Sequence, residues 1–344
     1  MGRRARPGRA VIALAALVAS LLAACGGGDG DGSPSATVPE PTYGVGVLNQ
    51  TFVDAGRPTQ AMGDQPEKPT RTLPTLTYYP IDGMVGAPPT PSAPGARARG
   101  PFPLIVFAHG SGVMSPSRYE LLFRFWVAAG YVVVAPSFPL SSDPALERGS
   151  RDVLNQPADV SFLISEMLRL NRDPTSAYAG LIDPDRIGVG GHSLGGVTAL
   201  GVAFNSCCLD ARIKAGFVLA GLEQEFPGGT FFPGDPGTPT PLLVVHGDDD
   251  VVVHYPDGRK VFDDAPPPKA MLTVAGGDHN VPFAGGPSQD FDKSSGQPNE
   301  ETGVVITGTL GFLDRYLKGS RNALEQAEDK LAGALIARLE IVEG

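Results

Sequence analysis

The chain has 344 residues, with 27 lysines and arginines against 37 aspartates and glutamates, a formal net charge of −10. That balance leaves no basic footprint for a nucleic-acid partner. Hydrophobic residues make up 42% of the chain, enough for one large core, and the 45 glycines and 34 prolines predict a loop-rich protein with tethers.

Residues 1–9 carry four arginines and precede an apolar run, 10–24, too short to span a bilayer comfortably. The run ends Leu22-Ala-Ala-Cys25, which resembles the lipobox of bacterial lipoproteins. The resemblance implies a signal peptide over 1–24, acylation of Cys25, and an exported protein held by lipid on the outer face of a cell-envelope membrane. Residues 25–42 then read as the lipidated cysteine and a flexible tether, because Gly26-Gly-Gly-Asp-Gly-Asp31 has nothing to bury. The folded domain is expected over 43–344.

Residues 45–53 and 72–79 read as strands separated by a Pro-rich loop, and 83–100 as an exposed Pro/Ala/Gly insertion. Phe102-Pro-Leu-Ile-Val-Phe-Ala108 is a buried strand that runs into His109-Gly-Ser-Gly112. Residues 118–129 have helical spacing, with Leu121, Leu122, Phe125 and Trp126 on one face as core, and 131–135 is a buried strand. Residues 152–170 form the next helix, with Val160, Leu163, Ile164, Met167 and Leu168 inward. Strands follow at 186–189, 213–219, 242–246 and 270–274, and closing helices at 303–317 and 323–339. Strands alternating with helices predict an α/β fold, a mostly parallel twisted sheet flanked by helices, with ligands at the carboxyl ends of its strands.

The stretch Ile187-Gly-Val-Gly-Gly-His-Ser-Leu-Gly-Gly196 joins a strand to a helix of small residues. Ser193 stands at the corner, with Gly191 and Gly195 two positions to either side, the pattern of a nucleophile elbow. So tight a turn leaves no room for side chains beside the serine and sets its hydroxyl at a helix N-terminus, where backbone N–H groups favour developing negative charge. A serine nucleophile needs a general base, and the chain offers five histidines. His192 adjoins Ser193 and should point away from its hydroxyl; His109 and His246 end strands. His279 follows the last apolar strand in a glycine-rich loop and is the first choice, with His254 second. Cys207-Cys208, late on the helix behind the elbow, could form a vicinal disulfide in an exported protein or remain buried thiols. The Phe-rich and Pro-rich segment 222–240 lies at the active edge of the sheet and either lines an apolar acyl pocket or packs as a loop.

Residues 43–317 resemble the bacterial α/β-hydrolases grouped with platelet-activating-factor acetylhydrolases and dienelactone-hydrolase-like esterases. The matching residues include Val53-Asp-Ala-Gly-Arg57, Arg71-Thr-Leu-Pro74, His109-Gly-Ser-Gly112, Asn155-Gln-Pro-Ala-Asp159 and Gly191-His-Ser-Leu-Gly195. The resemblance implies the α/β-hydrolase fold and a triad whose acid lies between Ser193 and His279. Many relatives place that acid three residues after the glycine of a His-Gly pair, which here is Asp250 in the run Asp248-Asp249-Asp250. Acetylhydrolase relatives carry it just after the strand ending here at Leu219, where this chain has Ala220-Gly221; Glu223 is the alternative in that region. Dienelactone hydrolases proper use a cysteine where this chain has Ser193. His109-Gly-Ser-Gly112 resembles the oxyanion loop of lipases and esterases, which implies a hole formed by the backbone N–H groups of Ser111 and Leu194.

The expected chemistry is hydrolysis of a small-molecule or lipid carboxylic ester through an acyl-enzyme, with no metal or organic cofactor. Rival readings are a polyester hydrolase of cutinase type, an acyltransferase, and a catalytically silent surface-binding lipoprotein.

Overall fold

The computed structural model describes residues 42–63, 65–112, 115–142, 150–233, 239–280, 283 and 298–344. Cys25, the expected signal peptide (1–24) and the expected tether up to residue 41 lie outside the described residues.

The chain opens with β1 (Gly44–Asp54) and β2 (Arg71–Ile81), an antiparallel pair in register from Gly44 opposite Ile81 to Asp54 opposite Arg71. A short β3 (Thr90–Pro91) lies beside β1, so the expected exposed insertion contributes a strand and also buries Ala96. The parallel part is built from β4 (Phe102–Ala108), α1 (Glu120–Ala128), β5 (Val132–Pro136), α2 (Gln156–Arg172), β6 (Ile182–His192), α3 (Leu194–Phe204) and β7 (Ile213–Leu219). It continues through β8 (Leu242–Gly247), α4 (Tyr255–Asp264) and β9 (Lys269–Val274), and closes with α5 (Glu300–Tyr316), α6 (Ala323–Leu331) and β10 (Ala337–Val342). The strands form one sheet in the order β10-β9-β8-β7-β6-β4-β5-β2-β1-β3. From β5 to β9 neighbours run parallel, while β2 and β10 flank that block antiparallel.

The central strands are continuous apolar runs because both of their faces are covered. Along β4, Ile105 and Phe107 face a core completed by Leu122, Phe123 and Trp126 of α1 and Val305 and Phe312 of α5. Leu104 and Val106 face the opposite core, with Leu163 and Ile164 of α2, Leu200 of α3 and Phe262 of α4. Phe123 is fully buried and Phe125 only partly, so α1 is rotated slightly from the face its spacing predicts.

The helix expected over 323–339 is a correction. Only Ala323–Leu331 is helical, and residues 337–342 pair with β9 from Ala337 opposite Val274 to Val342 opposite Lys269. An apolar run of this length fits either period, and the unpaired edge of β9 supplies the backbone partners that select a strand. Cys207 and Cys208 form a disulfide, in a turn after α3 has ended rather than on the helix.

The motifs near residues 57, 71 and 159 meet in one buried ion cluster. Arg71, fully buried, donates to Asp152 at 2.9 Å and to Asp159 at 2.7 Å. Arg57 bridges Asp54 and Asp159, each at 2.7 Å. The cluster fastens the start of α2 to the β1–β2 hairpin, and with it the segment that leads into the elbow side of the sheet.

Candidate active site

β6 turns into α3 at Ser193, whose φ of 55° and ψ of −120° lie where a side chain is strained. The two flanking glycines are demanded by close approach. A Cβ on Gly191 would collide with the Gly195 carbonyl, and one on Gly195 with the carbonyl of Ala108 at the end of β4. The Ser193 hydroxyl is held at the mouth of α3, beside amides that have no preceding turn to bond to.

His279, on the loop after β9, places Nε2 2.9 Å from Ser193 Oγ, and its Nδ1 lies 2.7 Å from Asp250 Oδ2. The other oxygen of Asp250 accepts the Val252 and Val253 amides at 2.8 and 2.9 Å. Burial pushes the Asp250 carboxyl upward, but the hydrogen bonds from His279 and the two amides outweigh it and hold the group below the usual carboxylate range. Asp248 and Asp249 are exposed; Asp248 accepts the Gly276 amide at 2.7 Å and so ties the acidic turn to the histidine loop.

Glu223 is turned away from this group and pairs with Lys260 at 2.7 Å. His254 is exposed ahead of α4. His246 is buried, with Nε2 2.9 Å from the Val253 carbonyl and 3.4 Å from Asp250. The structure therefore brings Ser193, His279 and Asp250 together and leaves the alternatives outside.

Ser111 follows β4 on a loop pressed against the elbow: a Cβ on Gly110 would stand 3.4 Å from that of Ser193. The amides of Ser111 and Leu194 thus belong to segments that meet at the serine. The loop is fastened from behind. His109 Nδ1 donates to the Gly110 carbonyl at 2.6 Å, and Nε2 accepts the Phe138 amide at 3.1 Å. Burial keeps His109 neutral by lowering its pKa to about 4. The Gly112 amide bonds the Ser141 carbonyl at 2.9 Å, while Gln156 links Ser141 Oγ, at 2.8 Å, to Thr198 on α3. Gln156 lies in the Asn155–Asp159 family match, but nothing in the local sequence marks Ser141 or Thr198 as its partners, because their meeting depends on which segments pack beside β4.

His192 diverges from the nucleophile, as its position requires, yet it is not idle. It is 1% exposed, and its two ring nitrogens contact Tyr119 Oη at 2.9 Å and the His279 carbonyl at 2.7 Å. Tyr119 likewise carries no sequence signal beyond an aromatic near the start of a helix.

Over its described part, segment 222–240 packs along α3: Leu222, Phe226 and Phe231 join an apolar cluster that reaches Val197 and Leu194 beside the nucleophile, while other contacts lie farther along the helix. Phe226 packs on α3 at Gly201, Phe231 bridges to Asn205, and the Phe232 ring lies tilted against Phe204 at 5.7 Å between ring centroids. These contacts fall eight to twelve residues beyond Ser193, roughly 12–18 Å along a helix axis. A cavity of about 540 Å³ there, lined by Asn205, Glu223, Phe226, Phe231 and Asp264, is separate from the serine. Among the described residues no cluster of histidine, cysteine or carboxylate side chains is arranged to hold a metal ion.

A sequence profile of the chlorophyllase family matches residues 84–220, which include the His109–Gly112 loop and the elbow but stop before Asp250 and His279. No curated protein sequence matches the chain significantly. Its structure is similar to that of a ferulic acid esterase from Streptomyces cinnamoneus, with a TM-score of 0.56 and 21% identity over 83% of this chain and 94% of that one. The sheet order, the flanking helices and this likeness give the chain an α/β-hydrolase fold.

Proposed function

We propose that the protein is a serine-dependent carboxylic ester hydrolase working through an acyl-enzyme. The observation that carries the reading is the run Ser193 Oγ, His279 Nε2, His279 Nδ1, Asp250 Oδ2, joined at 2.9 and 2.7 Å. His279 takes the proton of Ser193 as the hydroxyl attacks the ester carbonyl, and Asp250 holds the imidazole tautomer and stabilises the imidazolium without taking the proton. The amides of Ser111 and Leu194 receive the tetrahedral oxyanion. His279 then protonates the departing alkoxide, and water activated by the same imidazole cleaves the acyl-enzyme, returning Ser193. The family profile and the esterase of similar fold support an ester as substrate.

A fluorophosphonate probe tests the reading: it should label the native protein and leave Ser193→Ala unlabelled. Equal labelling of both would overturn it, as would a native protein that takes no label, the outcome expected of a silent binding lipoprotein. Partition of the acyl group between water and added alcohol separates a hydrolase from an acyltransferase.

The site is proposed to act outside the cytoplasm, tethered through acylated Cys25. The arginine-rich and apolar residues 1–24 support this, as does the Cys207–Cys208 disulfide, which an oxidising compartment preserves. Incorporation of labelled palmitate that disappears in Cys25→Ser is the expected result, and incorporation that survives the substitution would refute the anchor.

A further inference from the structure

Behind the reacting groups lies a hydrogen-bonded chain with one permitted direction. The Gly110 amide can only donate, and it lies 2.9 Å from Tyr119 Oη. The His279 carbonyl can only accept, and it lies 2.7 Å from His192 Nε2. Nε2 of His192 therefore carries the proton and Nδ1 does not, so Nδ1 accepts from Tyr119 Oη at 2.9 Å. Every donor and acceptor in the chain is then used once: Gly110 N–H to Tyr119 Oη–H to His192 Nδ1, and His192 Nε2–H to His279 C=O. Tyr119 is fully buried and His192 is 1% exposed, so water cannot substitute for a missing member without opening the core.

The two ends are the parts of the site that sit on loops. Gly110 precedes Ser111, whose amide is assigned to the oxyanion; His279 is the base. The middle, His192, is covalently next to Ser193 and ends β6. We propose that His192 and Tyr119 are positioning residues, a one-way bridge that holds the oxyanion loop and the base loop in fixed register with the nucleophile. The proposal rests on the serine-esterase reading for its kinetic consequence but not for its geometry. The bridge works with a neutral imidazole, and burial, reinforced by neighbouring His279, keeps His192 neutral by lowering its pKa to about 3. The His192 and His279 rings lie 4.9 Å apart between centroids, so a neutral His192 also avoids opposing the imidazolium formed on His279 during turnover.

Two substitutions divide the bridge. His192→Asn keeps an acceptor near the place of Nδ1 and deletes the donor to His279; His192→Gln keeps a donor near the place of Nε2 and deletes the acceptor for Tyr119. With p-nitrophenyl ester substrates, His192→Asn should lower kcat by roughly 10–100-fold with KM changed little, because displaced reacting groups cost rate rather than binding. His192→Gln should recover most of that loss, and Tyr119→Phe should fall between them. A purely packing role predicts equal losses for Asn and Gln that follow their melting temperatures; that result, or a kcat for folded His192→Asn within about twofold of native, overturns the bridge. The imidazole ¹⁵N spectrum of the native protein and of Ser193→Ala gives a readout independent of turnover and of any His192 variant. It should show His192 as the Nε2–H tautomer from pH 5 to 8, and an Nδ1–H tautomer overturns the proposal. Failure of the esterase reading is seen separately, as absence of fluorophosphonate labelling with that tautomer intact.

Discussion

Asp250 faces His279 with one carboxylate oxygen, at 2.7 Å from Nδ1, and spends the other on the amides of Val252 and Val253. Neither of its two neighbours in the acidic run does this: both are exposed, and Asp248 is turned to the Gly276 amide instead. Asp250→Asn should therefore preserve the fold and lower kcat by about 10³–10⁴-fold, because an amide in that place favours the wrong imidazole tautomer. Asp248→Asn, which disturbs only the contact to the Gly276 amide, should retain activity within about threefold. Ester turnover at pH 7 to 8 for the two variants checks the assignment, and equal effects would contradict it.

Gly195→Ala should be more damaging than its size suggests. The added methyl would meet the carbonyl of Ala108 and come within 2.7 Å of that of His109, so α3 must move away from β4. That movement separates the Leu194 amide from the Ser111 amide. Overpacking of this kind costs about 1–3 kcal/mol, and activity should fall by at least about 100-fold. Urea unfolding and fluorophosphonate labelling rates measure the two effects; an active, unshifted variant would deny the close approach.

Stability should decline as the pH is lowered from 7 to 5. Burial lowers the pKa of His192 to about 3 and of His109 to about 4, against an ordinary value of 6.5. Between about pH 6.5 and pH 4 the unfolded chain binds protons at these histidines and the folded chain does not, so stability falls as pH falls through that window. Asp250 acts in the same direction lower down. Its folded pKa is depressed, so its contribution is present above the ordinary carboxylate value of 3.8 and is lost as pH falls through the folded value. Urea midpoints at pH 7, 6 and 5 should decrease in order, and a flat profile would mean that the two rings are charged or exposed.

Reduction of Cys207–Cys208 should leave catalysis within about twofold of native. The disulfide lies past the end of the eleven-residue helix that begins just after Ser193, with Cys207 exposed. It closes so small a ring that the chain-entropy account gives only about 1 kcal/mol of stabilisation, a shift of at most about 3 °C in Tm for a domain of this size. Thermal melts and turnover with and without a phosphine reductant test this, and a large loss of rate would place the turn in communication with the serine.

Much of the site was legible because its chemistry imposes local spacing. Gly191 and Gly195 are required by the turn around Ser193, and His279 stands on a glycine-rich loop at a strand end. The family resemblance points to Asp250 within the run of three aspartates, with Glu223 as the alternative; the physical reason for that position, a turn that folds this one carboxylate inward, is visible only in the fold. Other features had no local signature. Residues 337–342 became a strand only because β9 offered an open edge. Arg57, Arg71 and Asp159 stand out as family matches without a reason; the reason is an ion cluster in which Asp159 meets Arg71 and Arg57 from 88 and 102 positions away. Tyr119 and His192 are separated by 73 residues and meet only when β4 and β6 are neighbours.

That ion cluster supplies a further test, because its two arginines differ in burial. Arg71, Asp152 and Asp159 have fully buried side chains, whereas that of Arg57 is 28% exposed. Arg71→Met keeps the volume but leaves two carboxylates inside the protein without their shared cation, a situation that costs about 3–5 kcal/mol. Arg57→Met removes a partly solvated partner, and Arg71 still serves Asp159, so its cost should stay near 1 kcal/mol or less. Adding Asp152→Asn and Asp159→Asn to Arg71→Met removes the stranded charges and should restore a large share of the loss, which simple loss of packing at residue 71 would not allow. Urea denaturation of the four proteins at pH 7 gives the comparison. If Arg71→Met and Arg57→Met were equally mild, the cluster would be an ornament of the surface rather than the fastening that holds α2 to the β1–β2 hairpin.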